Sequence, residues 1–173
     1  HFGDFRFSLY PLQGGHAPEF DDLDNLLIMG RTLGRMHAIA ATKPFQHRPR
    51  LDSATFGHAS VELISEKFII PEYKANYDAL SHDLLQTIDE LIAGAGDTPF
   101  IRTHGDCHAG NVLWRDQAPH FVDFDDARTA PAIQDIWMML SGDRSRQTAQ
   151  LAEIVEGYNE FYDFRPSELR LVE

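Results

Sequence analysis

His104-Gly105-Asp106-Cys107-His108-Ala109-Gly110-Asn111-Val112-Leu113-Trp114, followed after a short turn by His120-Phe121-Val122-Asp123-Phe124-Asp125-Asp126, is the stretch on which the fold turns. Phe100-Ile101, Val112-Leu113-Trp114 and His120-Phe121-Val122 are three short apolar bursts, each long enough for one strand. Asp116-Gln117-Ala118-Pro119 separates the last two, which predicts a small hairpin. Between the first two lies a polar loop, residues 104–111, holding two glycines. Asp106, Asp116, Asp123, Asp125 and Asp126 fall within this region with Arg115 as the only Lys or Arg among them. Carboxylates this dense repel one another unless a positive charge sits among them. A hard divalent cation such as Mg²⁺ takes one or two carboxylates together with substrate phosphates, so the stretch is a candidate Mg²⁺ site. A solvated acidic surface is the plain alternative.

Order and spacing favour the site. Asp106 and Asn111 share one loop, and Asp123 ends the strand that a hairpin returns toward that loop. Phosphoryl transfer needs a carboxylate facing the attacking hydroxyl, with an Asn and an Asp on the metal. Asp106 fits the first role, and Asn111 and Asp123 fit the second. His-x-Asp-x-x-x-x-Asn is also the spacing of a kinase catalytic loop, and Asp123-Phe124-Asp125 stands where such enzymes carry Asp-Phe-Gly. His104, Cys107 and His108 raise the thought of zinc. No second ligand pair is spaced to complete a tetrahedron, and Cys107 reads as a packed residue.

Taken together, His104 to Trp114 and Phe121 to Arg128 resemble the aminoglycoside-phosphotransferase family of kinase-like enzymes. Gly30-Arg31-Thr32-Leu33-Gly34-Arg35-Met36-His37 and Gln134-Asp135-Ile136-Trp137-Met138-Met139-Leu140-Ser141-Gly142-Asp143 resemble its bacterial subgroup of stress-response Ser/Thr protein kinases. That resemblance implies Asp106 as the catalytic residue, Asn111 and Asp123 as Mg²⁺ ligands, and ATP as the phosphoryl donor. It makes Asp135 a buried acid that braces the loop backbone, with His104 as a second structural support. It places the hinge between lobes at Leu9-Tyr10-Pro11-Leu12, where the backbone of Tyr10 and Leu12 would meet adenine. The implied partner is a protein with a Ser/Thr acceptor. A small-molecule kinase of the aminoglycoside, choline or homoserine type, and a non-catalytic binding module, stand as alternatives.

Working outward, Phe2, Phe5, Phe7 and Leu9 are aromatic-rich and partly alternating, which predicts a strand stopped by Pro11 and Gly14-Gly15. Asp21, Asp22 and Asp24 open a helix that Leu23, Leu26, Leu27, Leu33 and Met36 carry to about His37, where acids suit the N-terminal dipole. Residues 43–60 lack periodicity and read as loop. Tyr73, Tyr77, Leu80, Leu84, Ile88, Leu91 and Ile92 form one stripe, predicting a core-facing helix begun by Pro71 and ended by Gly94 and Gly96. Ile133, Ile136, Trp137 and Leu140 mark another helix, and Leu151, Ile154, Val155, Tyr158 and Tyr162 a last one. The expected architecture is α+β, mainly α with small β hairpins: the C-terminal lobe of a kinase-like fold with a remnant of N-lobe strands.

Composition bounds the rest. The chain has 173 residues, 43% hydrophobic, with 12 Phe, enough for a real core and against disorder. Lys+Arg 15 against Asp+Glu 27 gives a formal charge of −12, which disfavours nucleic acid and anionic membranes as partners. One Cys excludes an internal disulfide and suits a reducing, cytoplasmic setting. A kinase also needs a Gly-rich cover and a strand lysine over the phosphates. The only lysines are Lys43, Lys67 and Lys74, none in such a strand, and no Gly-x-Gly-x-x-Gly occurs. The expectation is therefore an N-lobe remnant and hinge at 1–12 and a C-lobe at 13–173, truncated at both ends. Such a fragment is expected to be inactive alone and prone to self-association through uncovered apolar surface.

Overall fold

The computed structural model describes residues 3–172. Two helices that cross almost in contact form its centre. Helix α1 spans Leu23–Ala40, opened by Asp22, whose carboxylate accepts the Asp24 N–H at 3.0 Å. Its buried face, Leu26, Met29, Gly30, Leu33, Gly34, His37 and Ala40, follows the three-and-four spacing of one helical stripe. Glycine lets the partner helix sit directly on that stripe. A Cβ on Gly30 would come 2.0 Å from the Ile154 carbonyl oxygen, and one on Gly34 would lie 2.5 Å from that of Tyr158. Gly157 answers from the other side, where a Cβ would meet the Leu27 carbonyl oxygen at 2.2 Å. Arg31 closes the outer rim with a fork of hydrogen bonds to Glu160, at 2.7 to 2.9 Å.

The chain reaches that second helix by way of three further helical segments and two small sheets. A π-helical turn, Ser53–His58, runs into α2 (Ala59–Lys67), and α3 covers Pro71–Gly94. Strand β1 (Ile101–Thr103) pairs antiparallel with β4 (Arg128–Ala130), Thr103 opposite Arg128. Between them β2 (Val112–Arg115) and β3 (Ala118–Phe121) form a hairpin, Val112 opposite Phe121. Asp116 and Gln117 make its turn with φ of 54° and 58°, both left-handed, so Ala118 and Pro119 already belong to β3. Two 3₁₀ turns, Ala132–Asp135 and Trp137–Met139, lead to α4 (Arg144–Asn159) and a closing 3₁₀ segment, Pro166–Leu171. The core joins Leu26, Met29 and Leu33 to Val112, Ile136, Ile154 and Tyr158, each at most 1% exposed.

Four expectations are corrected. Residues 6–15 hold no strand, and Phe5, Phe7 and Leu9 stand 58 to 88% exposed. Alternation makes a strand only when an edge accepts it, and among the described residues none pairs with that segment. Phe2 lies outside the described residues. Gln13 meets the hairpin through its side chain, its Oε1 accepting from Arg115 at 2.6 Å, and His16 exchanges backbone hydrogen bonds with Trp114 of β2 (3.1 and 2.7 Å). Second, residues 53–60 are helical where loop was expected, the π-helical turn running straight into α2. Asp52 begins the turn by accepting the Thr55 N–H at 2.7 Å, a cap that apolar periodicity does not register. Third, the α3 helix forms, but its stripe does not face the core. Tyr73, Leu80 and Leu84 are more than half exposed, and only Ser81 and Leu85 of that helix are buried. Fourth, the helix expected around Ile133–Leu140 is broken into the two 3₁₀ turns. The Ile133 N–H is taken by the Glu168 carboxylate at 2.9 Å, and the Asp135 side chain is committed elsewhere.

Among the described residues no helix is long and apolar enough to cross a membrane. The near-contact of α1 and α4 yields a direct test. Gly157→Ala forces a Cβ into the Leu27 backbone and is expected to destabilise by about 1–3 kcal/mol in chemical denaturation. Gly94→Ala, with open space at the end of α3, is expected to be neutral or to stabilise by up to about 1 kcal/mol.

Candidate active site

The antiparallel pairing of β1 with β4 decides where the polar loop goes. Thr103 leaves β1 at the end where Arg128 enters β4, so the loop that begins at His104 and the segment that ends at Ala127 emerge side by side. Gly105 makes that closeness feasible. Its φ is +87°, and a Cβ there would lie 2.2 Å from the Asp126 carbonyl oxygen. The β2–β3 hairpin then folds back, and the Val122 N–H donates to the Asn111 carbonyl at 3.0 Å. Asp123 follows with φ 63° and ψ 67°, a left-handed backbone uncommon for a residue with a side chain and concentrated at functional sites. Asp106 and Asn111 thus share the loop that follows β1, and Asp123 leaves β3 next to the Val122–Asn111 pairing, at the open end of the hairpin.

Within the loop, the Asn111 side chain is oriented by its neighbour. Its Nδ2 donates to the Asp106 carbonyl at 2.9 Å and to Asp106 Oδ2 at 3.1 Å. Both amide hydrogens are spent, which turns Oδ1 into the free acceptor. An amide oxygen beside carboxylate oxygens is a donor set for a hard cation that arrives with phosphates, and it fits magnesium in chemistry. It does not make a closed cage, for among the described residues no three of His, Cys, Asp and Glu gather closely enough to hold an ion. The zinc alternative loses two of its three ligands. The Nδ1 of His104 accepts the Asp106 N–H at 3.3 Å while its Nε2–H donates to the Val122 carbonyl at 2.8 Å. Cys107 is fully buried, and burial together with Asp135 and Asp106 pushes its thiol far up, away from the thiolate a metal requires.

The loop is gripped from beneath by Asp135. Its Oδ2 accepts the His104 N–H at 2.7 Å, and its Oδ1 accepts the Gly105 N–H at 2.8 Å. His37 of α1 adds a third bond, donating from Nε2 to Oδ2 at 3.0 Å, while its Nδ1 accepts from the Tyr158 hydroxyl of α4 at 2.9 Å. Burial holds the Tyr158 hydroxyl well above its ordinary range, with Glu168 next in effect, so it remains a proton donor. His37, Asp135 and Tyr158 are completely buried. Sequence reading singled out Asp135 but missed His37 and Tyr158 as parts of the site. The only available signal was a polar residue on each helix's apolar face, which marks a need for a buried partner. Glu168 extends the support by holding the Ile133 N–H, and burial raises its carboxyl. Gln134 spans to the loop directly, its Nε2 donating to the Gly105 carbonyl at 3.2 Å. Tyr10 and Leu12 stand 84% and 100% exposed.

The model of the APH phosphotransferase enzyme family matches residues 1–171. The chain belongs to that family. Stress response kinase A of Escherichia coli K12 is 41% identical over 174 residues, and that of Shigella flexneri 42%. A Salmonella typhimurium relative, the serine/threonine protein kinase RdoA, is 39% identical over 170 residues. Each alignment takes in 98% of this chain and 51% of the relative, so the chain spans about half the length of the curated relatives it matches. Among solved structures, the amicoumacin kinase hAmiN in complex with AMP-PNP, Ca²⁺ and Ami superposes with a TM-score of 0.64 at 17% identity, over 91% of this chain and 49% of that one. The spectinomycin phosphotransferase APH(9)-Ia with ADP and spectinomycin gives 0.58 at 20%, over 90% and 54%. These likenesses establish a kinase-like fold of the phosphotransferase family.

Glu168 offers a check on how the support is built. Its raised carboxyl means that the ionised form costs stability in the folded state. That cost is absent below the ordinary glutamate range and grows as pH rises through the folded value. Glu168→Gln keeps an oxygen for the Ile133 N–H without the charge. Denaturation midpoints of the two proteins are expected to diverge in favour of the Glu168→Gln variant as pH rises from about 4.5 to 7, and a constant difference would contradict the buried placement.

Proposed function

We propose that this chain carries the catalytic loop of an ATP- and Mg²⁺-dependent phosphotransferase that moves a γ-phosphoryl group onto Ser/Thr hydroxyls of a protein. The observation that supports it is the Asn111–Asp106 hydrogen bond on a loop whose backbone is pinned by the buried Asp135, with Asp123 following the hairpin strand that pairs back to Asn111. Asp106 is the catalytic residue. Its carboxylate accepts the acceptor hydroxyl, aligns the oxygen for in-line attack and takes the proton as the new O–P bond forms and the bond to ADP breaks. Asn111 and Asp123 are the metal-holding pair. Magnesium, when bound with ATP, supplies charge neutralisation at the phosphates. His104 and Asp135 hold the loop in register, so that the reacting groups meet without reorganisation. Tyr10 and Leu12 serve as the hinge, whose backbone meets adenine.

A protein acceptor is favoured by the names of the relatives at 39 to 42% identity, stress response kinase A and serine/threonine protein kinase RdoA. The enzymes of the solved structures are named for amicoumacin and spectinomycin, but at under 25% identity they bear on fold alone. The phosphate-neutralising lysine does not come from this chain's described site. Lys74 pairs with Asp78 along α3, Lys67 ends α2 and Lys43 follows α1. The 173 residues by themselves are therefore proposed to be inactive, acting in the cytoplasm as part of a longer kinase.

The test uses the full-length gene product with radiolabelled ATP against generic protein substrates and a panel of amino-alcohols. Label on Ser/Thr is the expected outcome, and label on the small molecules alone would move the acceptor class. Asp106→Ala is expected to lower kcat by about 10²–10⁴-fold while ATP affinity holds. Undiminished turnover would remove Asp106 from its role. The exposed stripe of α3, continuous with an apolar cavity of about 310 Å³ between Phe56, Ile88, Trp137 and Leu171, is proposed to drive self-association of the isolated chain. Sedimentation velocity is expected to show concentration-dependent mass, against which a monomer at all concentrations would speak.

A further inference from the structure

Beside the carboxylate of Asp106 stands a side chain that none of the roles above employs. His108 lies two residues further along the loop, and its ring is fixed from one side. The Gly110 N–H donates to Nδ1 at 2.9 Å, capping the short 3₁₀ turn Ala109–Asn111. With Nδ1 occupied as an acceptor, the neutral ring carries its proton on Nε2. That nitrogen faces Asp106 Oδ2 at 3.5 Å. Gly110 is what gives the ring its berth, since a Cβ there would come 2.7 Å from His108 Cε1 and 2.9 Å from Nδ1. Neither partner is packed into the core: the side chains are 45% and 35% exposed, so the contact is made at the open face of the loop.

The other polar contacts of Asp106 show what this does. Oδ2 already accepts Asn111 Nδ2 at 3.1 Å. Two N–H groups, from Asn111 and His108, therefore converge on one carboxylate oxygen, and among the described residues none donates to Oδ1. At 3.5 Å the His108 contact is longer than a full hydrogen bond, as catalytic contacts commonly are before substrate binds.

The geometry points to His108 as a positioning residue for phosphoryl transfer, its Nε2–H joining Asn111 on Oδ2 of Asp106 so that Oδ1 is the oxygen reserved for the acceptor hydroxyl. This rests on the assignment of Asp106 as the catalytic residue. The hydroxyl donates to Oδ1. Its proton passes to that oxygen as the O–P bond forms and the bond from the γ-phosphorus to the ADP oxygen breaks, with the electron pair leaving on ADP. His108 neither gains nor loses a proton in the step. A carboxylate pinned through one oxygen cannot rotate to present the wrong lone pair, so the gain appears in kcat and not in nucleotide binding.

Two substitutions separate this role from simple capping. His108→Asn keeps an acceptor for the Gly110 N–H but has nothing to reach Asp106, and His108→Gln places an N–H near the Nε2 position. In the full-length gene product, His108→Asn is expected to lower kcat by about 10–100-fold at unchanged KM for ATP, and His108→Gln is expected to restore most of that loss. Wild-type kcat in the His108→Asn variant would reduce His108 to a cap and overturn the inference. Asp106→Ala in parallel keeps the two claims apart. If it turns over normally, the assignment of Asp106 falls; if it is dead while the His108→Asn variant is fully active, only the role of His108 falls. In the 173-residue chain, long-range ¹H–¹⁵N correlation is expected to show the His108 ring protonated at Nε2 and shifted by Asp106→Asn. A proton on Nδ1, or a ring indifferent to that substitution, would also overturn it.

Discussion

The carboxylate of Asp135 is the contact on which the rest of the molecule depends. It is completely buried, it accepts two successive backbone N–H groups of the loop, and it takes a third bond from His37. A buried carboxylate without such partners is strongly disfavoured, so these bonds are a condition of the fold and not an embellishment of it. They also explain the two features around it that break local rules. The chain abandons a regular helix at Ala132–Asp135 to bring this side chain under the loop. Gly105 adopts a left-handed backbone beside Asp126, which leaves its N–H free to point down at Asp135. Loop geometry is thus set by packing that lies wholly outside the loop.

Much of the site was legible because its information is local. Asp106, Asn111 and Asp123 are separated by a loop and a hairpin whose lengths can be counted, and the hairpin forms as expected with only its turn shifted. The α1 helix was likewise readable from period, but its face only in part. Of the five positions named, Leu26 and Leu33 are buried while Leu23 is exposed, and Met29, Gly30, Gly34, His37 and Ala40 complete the buried stripe. What could not be read depends on distance along the chain. His37 meets Asp135 across 98 residues and Tyr158 across 121, and no local pattern announces such a pairing. The same limit produced the errors. Phe7 and Leu9 continue a strand's alternation, yet alternation does not supply an edge to pair with. The stripe from Tyr73 to Ile92 forms its helix, yet amphipathicity says only that a face needs cover, not which surface provides it.

That stripe and the open cavity beside it leave apolar surface incompletely covered, and the cavity reaches Gln134, whose side chain also holds the Gly105 carbonyl of the loop. The loop backbone itself is held at His104, Gly105, Gly110 and Asn111, by Asp135, Gln134, His108 and Val122.

The glycine seam between α1 and α4 has a consequence for motion. His37 sits on one of these helices and Tyr158 on the other, so the hydrogen bond that steadies Asp135 bridges the seam. Helices whose backbones touch through Gly30, Gly34 and Gly157 cannot slide without a steric clash, and separation is the one movement open to them. Warming that parts the two helices therefore releases the loop's anchor in the same event. Amide exchange at His104 and Gly105 should accordingly report the opening of a helix pair far away in sequence, because loop and seam form one cooperative unit.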